Sequence, residues 1–180
     1  MSKISAGELR IEKLSKEHDL IGFQCYELEL LKFLQEDALN NQNKKLSVTY
    51  LWFLEETDQL VGYITLINDR IDLFGNLKKY FNQKGIKYKS IPALKIGKLA
   101  VDNGFLRKGI GSLMVAFAYD YADLISEQYA GCRFLTLDAK RNSDESKDSI
   151  HFYNKLKFNV LKEDKRTTAM YLDLLSGKSP

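Results

Sequence analysis

Apolar and polar positions along the chain follow two periods, and each change of period marks an element. Residues 9–14 read as a short first strand. From 23 to 39, Tyr26, Leu30, Leu31, Phe33, Leu34 and Ala38 recur near helical spacing, which predicts an amphipathic helix with its acids outward. Residues 47–55 are rich in β-branched and aromatic side chains, as a strand is, and 60–68 read as a hairpin partner across a turn at 56–59. Residues 70–95 mix short apolar clusters with lysines and hold a short helix around 73–81. Residues 93–101 alternate and then become apolar, predicting a central strand. Ile110, Leu113, Met114, Phe117, Ala118, Tyr121, Leu124 and Ile125 obey the i, i+3, i+4, i+7 rule, the strongest helical signal in the chain. A strand at 133–138, a short helix at 148–156 and strands at 157–161 and 167–174 complete the reading. Helices and strands interleave in one layered domain, so the expected class is α+β with a mixed sheet.

Composition narrows this only in part. At 180 residues the chain is expected to form a single domain, 1–180, and 44% apolar residues exclude a disordered one. No apolar run approaches the roughly 18 residues of a membrane span. The first residues carry no signal-peptide core, and Cys25 and Cys132 are too few for a disulfide scaffold, so a reduced, cytoplasmic setting is expected. With two histidines beside them, they also argue against a structural zinc site, and no metal is expected. The net charge of +3 conceals a pattern. Residues 1–69 carry seven basic and twelve acidic side chains, 70–95 seven and one, and 96–180 thirteen and eleven. The positive field is local, in a basic insertion at about 70–95.

Chemistry concentrates between the central strand and the strong helix, at Leu106-Arg107-Lys108-Gly109-Ile110-Gly111-Ser112. A glycine turn at a helix start brings bare backbone N–H groups to a ligand, and the helix adds roughly half a positive charge. Arg107 and Lys108 add charge at the rim. The pattern suits phosphate oxygens, although a glycine pair also occurs in ordinary loops. It fits neither familiar nucleotide motif. The dinucleotide fingerprint needs a third glycine where Met114 stands, and the P-loop needs Gly-Lys-Ser/Thr, which is absent here.

This loop, after the strand Ile96-Gly97-Lys98-Leu99-Ala100-Val101, resembles the coenzyme A-binding motif of the GNAT acetyltransferase superfamily, Gln/Arg-x-x-Gly-x-Gly/Ala, with Leu106 in the first position. Phe152-Tyr153-Asn154-Lys155-Leu156-Lys157-Phe158 resembles a later family signature, Phe-Tyr-x-Lys-x-Gly-Phe, with Lys157 in place of the glycine. Phe23-Gln24-Cys25, Leu31-x-Phe33-Leu34-x-x-Asp37-Ala38, Val48-Thr49-Tyr50 and Ile91 to Val101 are similar to the toxin-type branch, where many relatives carry Arg at the place of Lys98. The resemblance implies a GNAT-like α+β fold: a mixed, mostly antiparallel sheet of about six or seven strands flanked by helices.

It also implies acetyl transfer from acetyl-CoA to a primary amine by direct attack. Leu99, Ala100 and Val101 would serve through their main chain, pairing with the pantetheine arm and polarising the thioester carbonyl. Leu106, Arg107, Lys108, Gly109, Ile110, Gly111 and Ser112 would hold the pyrophosphate. Asn142, Phe152, Tyr153 and Lys155 would complete the coenzyme site. Tyr153 would protonate the departing thiolate, since a phenol (pKa ~10) outlasts a thiol (~8.5) as an acid. Its helical spacing with Ile150 and Leu156 also fits a core residue. His151 is expected on the surface, and Glu55, Glu56 and Asp138 are relay candidates with no motif behind them, so no base is assigned. In the toxin-type branch the acceptor is the aminoacyl group of charged tRNA, an antitoxin is often the partner, and homodimers are common. A small amine, a protein amine, or an idle coenzyme A-binding module remain the competing functions. The basic insertion leads into the coenzyme-binding strand, so it is expected either near the acceptor cleft, where it would suit a polyanion, or as a solvated loop.

Overall fold

A computed structural model describes residues 3–141 and 149–176 of the protein. Among them, strands β1 (Leu9–Lys13), β2 (Val48–Leu54), β3 (Leu60–Asp72), β4 (Ser90–Val101), β5 (Phe134–Lys140), β6 (Asn159–Glu163) and β7 (Thr167–Asp173) form one sheet in the order β1-β2-β3-β4-β5-β7-β6. The pairs β1–β2, β2–β3, β5–β7 and β6–β7 are antiparallel. The helices are α1 (Leu28–Lys32), α2 (Ala38–Asn43), α3 (Gly75–Gln83), α4 (Ile110–Gln128) and α5 (Ser149–Lys155). This is the expected α+β, mostly antiparallel architecture. No helix of the described residues is long and apolar enough to cross a membrane. The described residues gather into two compact units, 3–67 with 96–118 and 68–95 with 119–176.

In the first unit, α1 runs through a π-helical turn, Phe33–Asp37, directly into α2. Leu34 and Ala38, four residues apart, pack on Leu51, Phe53, Leu60 and Tyr63 of β2 and β3. The helix starts five residues later than its apolar spacing predicts. Gln24 is held by the residues after β4: its N–H donates to Asp102 (2.8 Å) and its carbonyl accepts from Asn103 N–H (2.9 Å). The helix also runs on to Asn43, past the apolar stripe. Gln42 fixes that end, donating through Nε2 to Leu14 O (2.7 Å) and accepting at Oε1 from Thr49 N–H (3.1 Å).

A register shift sets Trp52 opposite Gly62 and Phe53 opposite Leu60, so Val61 is the extra residue of a β-bulge. Its carbonyl accepts from Asp102 N–H (2.9 Å). Beside it, a Cβ on Gly62 would stand 2.8 Å from Ala100 O and 2.3 Å from Met114 Cε. The glycine therefore sets how closely β3, β4 and α4 approach.

In the second unit, Ile71, Leu73, Phe81, Ile91, Ala93 and Phe134 form a core that takes in Leu77 and Ile86. The strand expected at 157–161 begins two residues later, because Lys157 (φ +66°) closes α5 in the left-handed region. Lys157 N–H donates to Asn154 O (3.0 Å) and Phe158 N–H to Tyr153 O (3.1 Å), the paired bonds of a Schellman cap.

Candidate active site

β4 departs from strand alternation where the site begins. Gly97, Lys98 and Leu99 are all half-buried in sequence, followed by buried Ala100 and half-buried Val101. Three consecutive positions are thus partly open to solvent. Gly97 lies against β3, where a Cβ would meet Ile67 Cδ1 at 2.4 Å. Lys98 directs its ammonium to Glu29 Oε1 (3.4 Å) and over the Phe33 ring (5.6 Å). The contacting residues come from α1 and the π turn, four apart on one helical face, and only their pairing with Lys98 has no signal in the sequence.

Asp102 then turns the chain. One carboxylate oxygen accepts from Gly104 N–H (2.9 Å), capping the short turn Asn103–Phe105, and the other accepts from Gln24. Leu106 is extended, Arg107 is left-handed (φ +61°), and Gly109 has φ +91°, where a side chain would be strained. The Ser112 and Leu113 N–H groups close on Gly109 O (3.1 and 3.2 Å), leaving the first N–H groups of α4 without intrahelical acceptors. Lys108 O accepts from Ile4 N–H (2.9 Å), and its ammonium stacks on Phe105 (4.5 Å). Neither the Asp102 turn nor the Ile4 tie was among the sequence candidates. The Asp-Asn-Gly run after the strand is the signal that points to the turn.

The helix behind the loop is firmly seated. Ile110, Met114 and Ala118 are buried along one face, and Phe117 meets Tyr50 and Trp52 edge to face at 5.1 and 5.7 Å. Residues 99–101 and 106–112 thus form one continuous strand–turn–helix. A partly open strand leads to two residues of positive φ and then to a helix N-terminus. The first N–H groups of α4, which lack intrahelical acceptors, suit a pyrophosphate.

In the second unit, α5 carries Phe152, Tyr153 and Lys155. Tyr153 is 9% exposed, its ring flanked by Phe152 (4.9 Å) and Phe158 (5.7 Å), and burial pushes its phenol pKa up to about 12. The core packing expected from its spacing is present, and it keeps the phenol protonated. Lys155 and His151 are exposed, the latter as expected. Asn142 lies outside the described residues. Asp138 is occupied by Lys95 (2.7 Å), while Glu55 and Glu56 are exposed at the turn after β2.

Comparison with known proteins agrees with these features. AtaT complexed with acetyl-methionyl-tRNAfMet is 26% identical, with a TM-score of 0.76, covering 93% of this chain and 96% of that one. AtaTR bound with AcCoA is 26% identical, with a TM-score of 0.75 and coverage of 94% and 96%. A tyrosine-to-phenylalanine mutant of the AtaT toxin, bound to the C-terminus of the antitoxin AtaR, is 25% identical, with a TM-score of 0.72, covering 94% of this chain and 95% of that one. Residues 47–160 match the acetyltransferase (GNAT) domain, which is well over half of the chain. With a strand, a phosphate-suited turn and a helix start in the family's order, the chain belongs to the GNAT acetyltransferases.

Proposed function

We propose that the protein is an acetyl-CoA-dependent N-acetyltransferase that acetylates the aminoacyl group of charged tRNA, and that it acts as a toxin restrained by an antitoxin. The observation that carries this reading is the similarity to AtaT over nearly the whole of both chains, in structures with acetyl-methionyl-tRNAfMet, with AcCoA and with the antitoxin AtaR. In this reading 1–180 is one catalytic domain with a basic insertion at 70–95.

Acetyl-CoA supplies an activated acyl group whose thiolate leaves when an amine attacks. The residues of the chain bind, orient and move a proton. The N–H groups of 107–111, at the N-terminus of α4, hold the pyrophosphate beside Leu106 and Ser112, whose own N–H is bonded to Gly109 O, and the charges of Arg107 and Lys108 add to that field. The main chain of Leu99–Val101 holds the pantetheine arm, and an N–H of Leu99 or Ala100 faces the thioester oxygen, where negative charge develops. Tyr153 gives its proton to the departing sulfur. Phe152 and Lys155 shape the coenzyme end of α5. The amine must be neutral to attack, and an aminoacyl amine ionises at lower pH than lysine, so no dedicated base is required.

The test is transfer of radiolabelled acetyl from acetyl-CoA to a mixture of charged tRNAs, run beside polyamines and peptides. Labelled aminoacyl-tRNA, together with growth arrest on induced expression, is the expected result. Labelling only of polyamines or peptides, without arrest, would overturn it. Tyr153→Phe should lower kcat by about 10²–10⁴-fold at an unchanged melting temperature, and full activity in that variant would remove Tyr153 from the mechanism.

A further inference from the structure

The excursion between β3 and β4 has an inner and an outer face of very different kinds. Its ends are tied by Leu73 N–H donating to Lys89 O (2.8 Å). Inside, α3 buries Phe81 with Leu77 one turn earlier, and Ile86 follows into the same core. Arg133 seals this side. Its guanidinium lies over Phe81 (5.6 Å) and Phe134 (5.8 Å), held there by two 2.8 Å bonds to Asp173. The excursion is thus a braced projection.

Toward solvent the excursion carries Lys78, Lys79, Lys84, Lys87 and Lys89, all exposed. Among the described residues, none of these five forms an ion pair, whereas Arg70 and Lys95 at either side are paired with Asp72 and Asp138. Exposed aromatic rings stand among them: Phe74 at 49%, Tyr80 at 42% and Tyr88 at 71%. Lys84 already lies over the Tyr80 ring at 5.2 Å. A loop that is merely solvated needs its lysines but not its rings. Unpaired cations interleaved with open aromatic faces match a polyanion that also presents planar bases, with lysines toward phosphates and rings toward unstacked bases.

We propose that the 73–89 projection is an RNA-binding surface that engages the body of the acceptor RNA through its backbone and one or more unstacked bases. This rests on the reading that the reacting amine is carried on tRNA, and it assigns residues to the part of that substrate away from the amine.

The experiment compares the full chain with a Lys78→Gln/Lys79→Gln/Lys84→Gln/Lys87→Gln variant and, separately, with Tyr88→Ala. Three probes are used: a mixture of charged tRNAs, the corresponding amino acid amides, and uncharged tRNA binding followed by fluorescence anisotropy across a salt series. The expected result is a KM for charged tRNA at least about tenfold higher in the lysine variant, with a salt slope shallower by about two to four. Acetylation of the amides and the melting temperature should stay unchanged. Tyr88→Ala should weaken tRNA binding without changing the slope. The inference is overturned if the parent acetylates charged tRNA and both variants keep its KM and salt slope. If the parent acetylates no charged tRNA, the substrate reading fails by itself. The projection then stands on salt-dependent binding of uncharged tRNA that the lysine variant loses, and falls if no such binding exists. Binding to phosphatidylglycerol vesicles in preference to tRNA would also overturn it.

Discussion

Lys157 holds a left-handed backbone conformation at φ +66°, at the residue that closes α5 right behind Tyr153. A side chain there is strained, whereas glycine is not. Replacing it should therefore stabilise the fold: Lys157→Gly is expected to add about 0.5–1 kcal/mol and raise the melting temperature by roughly 1–4 °C. A thermal melt that shows a lower value would mean the lysine side chain contributes contacts that outweigh its strain. Burial also sets the proton affinity of Tyr153. With its pKa raised to about 12 by burial, the phenol keeps its proton through the working range. The rate should rise with pH as the acceptor amine becomes neutral, with no falling limb below about pH 10. A fall near neutral pH in a kcat/KM profile would assign the acid role to another group. The sequence placed Tyr153 on a helix and left core and catalyst as alternatives. Burial between two phenylalanines shows why spacing alone leaves both open, since the same packing that makes it core also keeps it protonated.

Among the elements, β3 and β4 are set by Gly62, the residue after the bulge at Val61. Gly62→Ala would press a Cβ against the carbonyl of Ala100 at 2.8 Å, and a backbone atom gives way less readily than the Met114 methyl at 2.3 Å. The variant should lose about 1–3 kcal/mol, and its KM for acetyl-CoA should rise because the displaced strand is the one read as holding the coenzyme. Chemical denaturation and initial rates measure the two effects, and a variant with unchanged values for both would show that β4 shifts freely. The strand–turn–helix of the site was largely legible in the sequence, since two glycines break the pattern where a run of 3.6-residue period begins. The start of α1 was not. Phe23 and Tyr26 keep helical spacing, yet the main chain of Gln24 is claimed by Asp102 and Asn103 from a distant part of the chain. Similarly, Gln42 extends α2 by polar bonds that no hydrophobic pattern records. Asn142, named by resemblance, lies outside the described residues.

For the whole molecule, charge is where the sequence was most informative and total charge least so. The block at 70–95 was visible by counting; that its lysines and three of its rings are exposed, while Leu77, Phe81 and Ile86 enter the core, needed the fold. One contribution to acid stability lies elsewhere, at the β1 edge. Glu12 accepts from His18 (2.8 Å) and Arg10 (2.6 Å), His18 being the larger cause, and its carboxyl is held below its usual range. A depressed folded-state pKa contributes stability above the unfolded value of about 4.3, and that stability is lost as pH falls through the folded value. Glu12→Gln should thus be less stable than the parent at pH 7, with the gap closing below about pH 4 in urea titrations. A gap that persists at low pH would trace the loss to packing. In the first unit, the bond from Ile4 N–H to Lys108 O makes the residues around Ile4 part of the support of the turn read as holding the phosphates. Linkage is reciprocal. A ligand that steadies the turn also fastens the residues around Ile4, so occupancy of the site becomes readable as slower amide exchange there, and a bulky fusion placed just before them becomes a weak antagonist of the coenzyme.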